Sequence, residues 1–276
     1  MYISTLLIDL GKNPDRPRPA RRWLRNLYRV HQRLCMAFPT PQRADNDPHF
    51  VHPFSPDDFP AVHTQRSDGS GFLFRIDPQR TDRACIIVQS AMPPNWEYAF
   101  HNFTEALAAP PQVRTFAYVD HLMQDPLPFV LVANPTRKIK TLPGQIRKQG
   151  ISREGERTKN GKRVPVKAEN LAEWLARKGE MHGFVVEKDK LTLIPAYYCF
   201  SIPPRNEGPN VCDGGEEEKT CGKTSKIFIV RFMGELRVTD AARFREALIR
   251  GIGPSKSFGC GLMTVPRLMK FDDASG

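Results

Sequence analysis

No two cysteines of this 276-residue chain form a C-x-x-C pair, which argues against a zinc ribbon and against a disulfide framework. The six thiols, Cys35, Cys85, Cys199, Cys212, Cys221 and Cys260, are scattered, and a reduced, structural role suits them. Only Cys212 and Cys221 bracket a single Gly- and Glu-rich loop, close enough in sequence to pair in vitro. No apolar run approaches the roughly 18 residues of a membrane span. Met1 to Leu10 lacks a basic leader and carries Asp9 in its apolar run, so no secretory signal is expected. A cytoplasmic protein without a membrane partner is the expectation. The glycine-rich segment near the end has no Gly immediately before Lys256 and follows a helix rather than a strand, so neither ATP nor NAD is implied. There is no Ser-His-Asp framework with a nucleophile elbow and no helix-turn-helix. His49 and His52 share a Pro-rich segment with Asp57 and Asp58 that offers no ligand face, and His101 and His121 lack partners at metal-ligand spacing. No metal and no cofactor is expected.

Acidic residues are also missing from particular stretches. The chain carries +11 overall. Seven arginines and no acid lie between Arg16 and Arg33, for +7, and eleven basic residues against two acids lie between Thr136 and Lys167, for +9. The remainder therefore carries −5. An acidic-to-neutral body with two basic elements suits a tracked phosphate backbone better than general solubility.

The length suits two domains, and hydrophobic residues at 40% allow each a core. Residues 2–8 read as a strand, and Trp23, Leu27, Val30, Leu34 and Phe38 predict one amphipathic helix over 20–38, closed by Pro39. After a polar, Pro-rich loop (39–70) come strands at 72–76 and 85–90, a short helix over 95–108 and a strand at 112–119. The second half reads as a strand at 129–133, a basic excursion and a helix over 168–178 with Gly179 as its C-cap. Strands at 183–187, 191–201 and 226–238, a helix at 241–250 and a strand at 262–265 complete it. The expected fold is α+β, two tandem ferredoxin-like β-α-β-β-α-β domains, at 1–122 and 123–276. No repeat is visible at residue level.

Two constellations carry chemistry. On a helical wheel with Trp23 at zero, the apolar residues fall within roughly −20° to 60° and Arg22, Arg25, Arg29 and Arg33 within roughly 200° to 280°. Tyr28 and His31 fall at about 140° and 80°, on the border between the two faces and three residues apart. A phenol and an imidazole beside four guanidiniums suit RNA self-cleavage chemistry. One group deprotonates a ribose 2′-hydroxyl, the other protonates the departing 5′-oxygen, and the cations stabilise the phosphorane. The second constellation is Gly251-Ile252-Gly253-Pro254-Ser255-Lys256-Ser257-Phe258-Gly259-Cys260-Gly261. Its glycines, Gly251, Gly253, Gly259 and Gly261, would let backbone N–H groups approach a polyanion, with Lys256 and Ser257 adding donors.

Several stretches resemble landmarks of one family. They are the Met1-Tyr2-Ile3-Ser4 strand, Arg25-Asn26-Leu27-Tyr28-Arg29-Val30-His31-Gln32 with Phe38-Pro39, Gln89-Ser90-Ala91, Ala133-Asn134-Pro135-Thr136 and the glycine-rich ending through Leu262. In this order they are similar to CasE, the CRISPR-associated endoribonuclease of type I-E Cascade. The resemblance implies a RAMP-type pair of ferredoxin-like domains that grips the stem-loop of each repeat in CRISPR precursor RNA. Such proteins cut without metal at the 3′ base of the stem, leaving 5′-hydroxyl and 2′,3′-cyclic phosphate ends. They then stay on the 3′ hairpin of the mature crRNA beside the other Cascade subunits. It also implies Tyr28 and His31 as the catalytic residues, His31 the principal proton-transfer group, with base and acid unassigned. Some members carry a Ser or Thr late in this helix, where Cys35-Met36-Ala37-Phe38-Pro39 supplies none. The basic segment fits the stem, with Arg137, Lys138, Lys140, Arg147, Lys148 and Arg163 as RNA-binding candidates. The alternative is a non-catalytic RNA-hairpin-binding subunit using the same surface as a clamp. A DNA-binding regulator is disfavoured by the missing helix-turn-helix.

Overall fold

The computed structural model describes residues 1–12, 18–38, 71–80, 82–119, 123, 125–138, 163–201 and 224–271. The chain is mixed α+β, built on two antiparallel sheets. Strand β1 (Tyr2–Asp9) lies inside the first sheet, flanked by β3 (Arg83–Ser90) and β4 (Gln112–Tyr118), with β2 (Phe72–Arg80) outside β3. In the second sheet β5 (Leu127–Ala133) and β10 (Thr224–Val238) are central. Strand β11 (Met263–Thr264) pairs with β5, while β8 (Phe184–Val186) and β9 (Thr192–Ser201) pair with successive stretches of β10. A two-stranded ribbon, β6 (Thr136–Lys138) with β7 (Arg163–Pro165), stands apart.

Period-two alternation divides the side chains of the first sheet. Leu6, Ile8, Phe72, Phe74, Ile86 and Val88 turn to one face and meet α1 (Pro19–Leu24), α2 (Leu27–Met36) and α3 (Trp96–Phe100) through Trp23, Val30, Leu34 and Phe100. In the second sheet, Leu127, Leu131, Val230 and Phe232 pack beneath α4 (Leu171–His182) and α5 (Ala241–Arg250). Val132, Ile227, Ile229 and Cys260 form a smaller cluster with Tyr198 and Phe258. Cys35, Cys85 and Cys260 are buried and unbridged, and Cys199 is exposed.

The chain departs from the sequence expectations at four places. The helix expected over 20–38 is two, because Asn26 is extended (φ −112°, ψ 95°) and caps α2 by accepting the Tyr28 N–H at 3.2 Å. Asn competes with the helical backbone in an interior and stabilises it at a cap, so the apolar spacing runs through a break. The helix expected over 95–108 stops at Phe100, and Thr104–Ala106 forms a separate 3-10 turn. Gly179 is not a C-cap: α4 continues to His182, and Gly183, left-handed at φ 74°, ends it. Finally, the chain does not end at β11. A further strand, β12 (Met269–Phe271), returns to the first sheet and pairs with β4, through Phe271↔Phe116 and Met269↔Tyr118. Three residues with Lys270 between them are too short for a periodic signal.

Candidate functional site

Helix α2 carries both residues of the proposed cleavage pair. Its buried stripe, Leu27, Val30 and Leu34, seats it on the first core, and the Trp23 indole donates to the Arg29 carbonyl at 3.2 Å across the break from α1. Tyr28 is half-buried, but His31 is only 1% exposed rather than on the border expected from the wheel. The reason lies outside the helix. Phe72 and Phe74 of β2 stack on the imidazole, with ring centroids 5.7 and 6.2 Å away and planes inclined by 30° and 17°. Cys35, one turn on, lies with Sγ 3.6 Å from His31 Nε2.

The glycine-rich segment reaches the same place. It leaves α5 at Gly251, and its 3-10 turn, Lys256–Phe258, packs against α2 and β2. Gly259 lies on Phe74: a Cβ there would stand 3.1 Å from Cε2 of that ring. One ring thus separates the imidazole from the segment. The expected use of the glycine N–H groups is corrected in part. Gly251 donates to Ala247 O at 2.8 Å, Gly259 to Lys256 O at 3.3 Å and Gly261 to Val132 O at 2.7 Å, so these three donors are spent within the chain. These glycines supply backbone shape instead. Their φ values are 76°, 77° and 94°, and a Cβ at Gly251 would meet Leu73 Cδ2 at 2.8 Å. Gly253, at φ 84°, lies over Trp174. Ser255 is the one described non-glycine residue with positive φ, 63°, and Asn134 Nδ2 donates to its hydroxyl at 2.9 Å. The Lys256 ammonium donates to the Arg250 carbonyl, and Ser257 is half-buried.

The arginines of the first basic element separate. Arg22, Arg25 and Arg29 are exposed. Arg33 turns inward: it donates to Ala99 O at 2.8 Å and Asn102 Oδ1 at 2.9 Å, with its guanidinium 5.0 Å from the Phe103 ring centroid. Burial lowers its pKa. Expected on the open face, it instead ties α2 to the end of α3. Arg137, Lys138 and Arg163 lie exposed on the β6–β7 ribbon, and Arg163 Nη1 donates to Thr136 Oγ1 at 3.4 Å. Lys140, Arg147 and Lys148 lie outside the described residues. Among the described residues no three His, Cys, Asp or Glu side chains converge as a metal-ligand set.

Sequence reasoning missed the polar joint between the sheets. Arg75, 4% exposed, pairs with Asp77 at 2.9 Å and donates to Thr264 Oγ1 at 2.7 Å and Val130 O at 3.3 Å. Asp77 also pairs with Arg231 of β10. Burial pushes the Asp77 carboxyl upward, but the two guanidiniums outweigh it and hold it below the usual carboxylate range. Gln89, 3% exposed, donates to Leu248 O and accepts from the Tyr118 hydroxyl, both at 2.8 Å. Burial raises the pKa of that phenol. The available signal was Phe72-Leu73-Phe74-Arg75-Ile76, a nearly unbroken apolar run whose both faces must be covered.

Residues 1–267 match a protein-family model described as "CRISPR associated protein". The chain is 28% identical over 272 residues to the CRISPR system Cascade subunit CasE of Escherichia coli strain K12, covering 97% of this chain and 100% of that one. It is 28% identical over 270 residues to the CRISPR-associated endoribonuclease Cse3 of Thermus thermophilus, covering 96% and 99%. A solved structure of CRISPR endoribonuclease Cse3 bound to a 19-nucleotide RNA superposes with a TM-score of 0.60 at 24% identity, over 96% of this chain and 99% of that one.

Proposed function

The chain belongs to that CRISPR-associated protein family, and from this membership and the site's geometry we propose that it is the CasE-type endoribonuclease subunit of a type I-E Cascade complex. It cleaves CRISPR precursor RNA at the 3′ base of each repeat stem-loop and stays on the mature crRNA 3′ hairpin beside the other Cascade subunits. On this reading its work lies in the cytoplasm, where such a transcript is made. Relatives at 28% identity over nearly their whole length, one a Cascade subunit and one an endoribonuclease, support this reading.

The observation that carries it is the meeting of α2, with Tyr28 and His31, against the Lys256–Phe258 turn. In the proposed step the ribose O2′–P bond forms as the P–O5′ bond breaks. His31 is the principal proton-transfer group and Tyr28 its partner, one taking the 2′ proton and the other supplying the 5′-oxygen. The nucleophile belongs to the substrate, so the step runs without metal. Phe72 and Phe74 fix the imidazole plane. Exposed Arg22, Arg25, Arg29, Arg137, Lys138 and Arg163 hold phosphates, as do Lys140, Arg147 and Lys148; Arg33 acts only by fixing α2.

The sheet orders β4-β1-β3-β2 and β11-β5-β10-β8 support two tandem ferredoxin-like units, 1–122 and 123–276, each with its fourth, first, third and second strands side by side. Among the described residues, strand β12 is the one piece of the second unit that pairs into the first sheet.

The 1% exposure of His31 favours one other reading, an RNA-hairpin clamp that does not cut. Incubating the protein with end-labelled repeat RNA in EDTA separates the two. Products ending in 2′,3′-cyclic phosphate and 5′-hydroxyl are expected; RNA bound tightly but intact would establish the clamp.

A further inference from the structure

Helix α4 carries Trp174, Lys178 and His182 at intervals of four, one row along its surface. The row borders the glycine-rich segment. A Cβ at Gly253 would stand 3.5 Å from Trp174 Cη2, and the Lys178 ammonium lies 6.0 Å from the centroid of the same ring. Trp174 is itself anchored by stacking on Phe232 at 5.8 Å. Basic groups from separate parts of the chain gather around this row: Arg177 on α4, Arg163 on the ribbon and Lys256 in the segment.

Burial first, then the charges of Arg163 and Arg177, lower the Lys178 pKa. Burial first, then Lys178 and Lys256, lower that of His182, against which Glu246 of α5 acts. The other charged groups beside it are Asp240 and Arg243, paired at 3.2 Å and packed on neighbouring Gly183. The nearby acids are occupied: Glu246 pairs with Arg250 at 2.9 Å and Glu173 with Lys188 at 3.3 Å. Among the described residues Arg163, Arg177, Lys178 and His182 form no ion pair. Half-buried Lys178 and His182 beside exposed Arg163 and Arg177, on an indole shared with the glycine-rich segment, form a site whose mutual repulsion an anion would relieve.

We propose that Lys178 and His182, with Arg163 and Lys256 beside them, seat a backbone phosphate of the bound RNA, extending its track from the glycine-rich segment along α4. This rests on the RNA-binding reading above and adds residues outside both basic elements of the sequence. His182 makes the contact proton-linked. Burial and the neighbouring Lys178 and Lys256 ammonium groups disfavour its proton in the free protein and a phosphate restores it, so affinity rises as pH falls.

The test uses the full chain with Lys178→Gln, Lys178→Arg and His182→Asn. Hairpin affinity is measured from 0.1 to about 0.4 M salt at pH 7.5 and 6.0, with the single-turnover cleavage rate at saturating protein. Lys178→Gln is expected to weaken binding about 3- to 10-fold and flatten the salt slope by about 0.7 to 0.9, with Lys178→Arg restoring both. His182→Asn is expected to remove the tightening between pH 7.5 and 6.0, and the rate at saturation separates a loss of binding from a loss of chemistry. Folded variants with wild-type affinity, salt slope and pH profile, in a chain that binds and cuts normally, would overturn the inference alone. A wild-type chain that does not bind repeat RNA would overturn it together with the reading it rests on.

Discussion

A methyl group on Gly179 would stand 2.3 Å from the carbonyl oxygen of Phe184, inside any permitted contact. This glycine lets α4 lie against β8, whereas the helix ends at Gly183. Both residues are Gly in the sequence, and only the left-handed φ of the second distinguishes a cap from a close approach. Gly179→Ala gains up to about 1 kcal/mol in helix propensity. The backbone displacement costs more, so a net loss of about 1 to 2 kcal/mol is expected in denaturant unfolding. An unchanged midpoint would show that α4 can slide outward freely. His31 and Arg33 were equally uneven in legibility. Their residue types and their places on a helix could be read from the sequence, but their surroundings are set by Phe72, Phe74, Ala99 and Asn102, at least 40 residues away. A wheel drawn on one helix contains no information about what closes over it.

Elements with strong local signals, such as β1, β3, β5 and α5, lie close to where their patterns place them. Failures occurred where a local signal and a tertiary one compete: the Asn26 break, the short α3 and β12, whose pairing is wholly long-range. The polar joint between β2 and the second sheet belongs to this scale as well. Asp77 is held below its ordinary pKa, so its contribution is fully present above the unfolded value near about 3.9 and is lost as pH falls through the folded one. Acid unfolding should therefore steepen below about pH 4. Asp77→Asn, which leaves buried Arg75 without its carboxylate, should cost about 3 kcal/mol at pH 7 and progressively less toward pH 3. Unfolding midpoints of the two proteins between pH 7 and 2.5 test this. Parallel curves would exclude the joint as a source of acid sensitivity.

Over the whole molecule, the +11 is concentrated rather than spread, and structural contacts divide it further. Arg33 and Arg75 hold elements together, Arg22, Arg25 and Arg29 project outward from α1, α2 and the break between them, and the ribbon that carries Arg137, Lys138 and Arg163 stands apart from both sheets. The α+β class and the two strand sets were legible because each depends on periodicity and turn residues. The convergence of α2 with the glycine-rich segment, some 225 residues later, was not, because it depends on how the two sheets pack. That convergence underlies the proposed chemistry and invites one direct measurement. Repeat hairpin RNA is bound at saturating protein in EDTA, and single-turnover cleavage is followed for wild type, His31→Ala and Tyr28→Phe, with binding of each checked separately. The expected result is retained binding with cleavage reduced at least about 100-fold in His31→Ala and less severely in Tyr28→Phe. Wild-type cleavage rates in His31→Ala would contradict the assignment of the imidazole as the proton-transfer group.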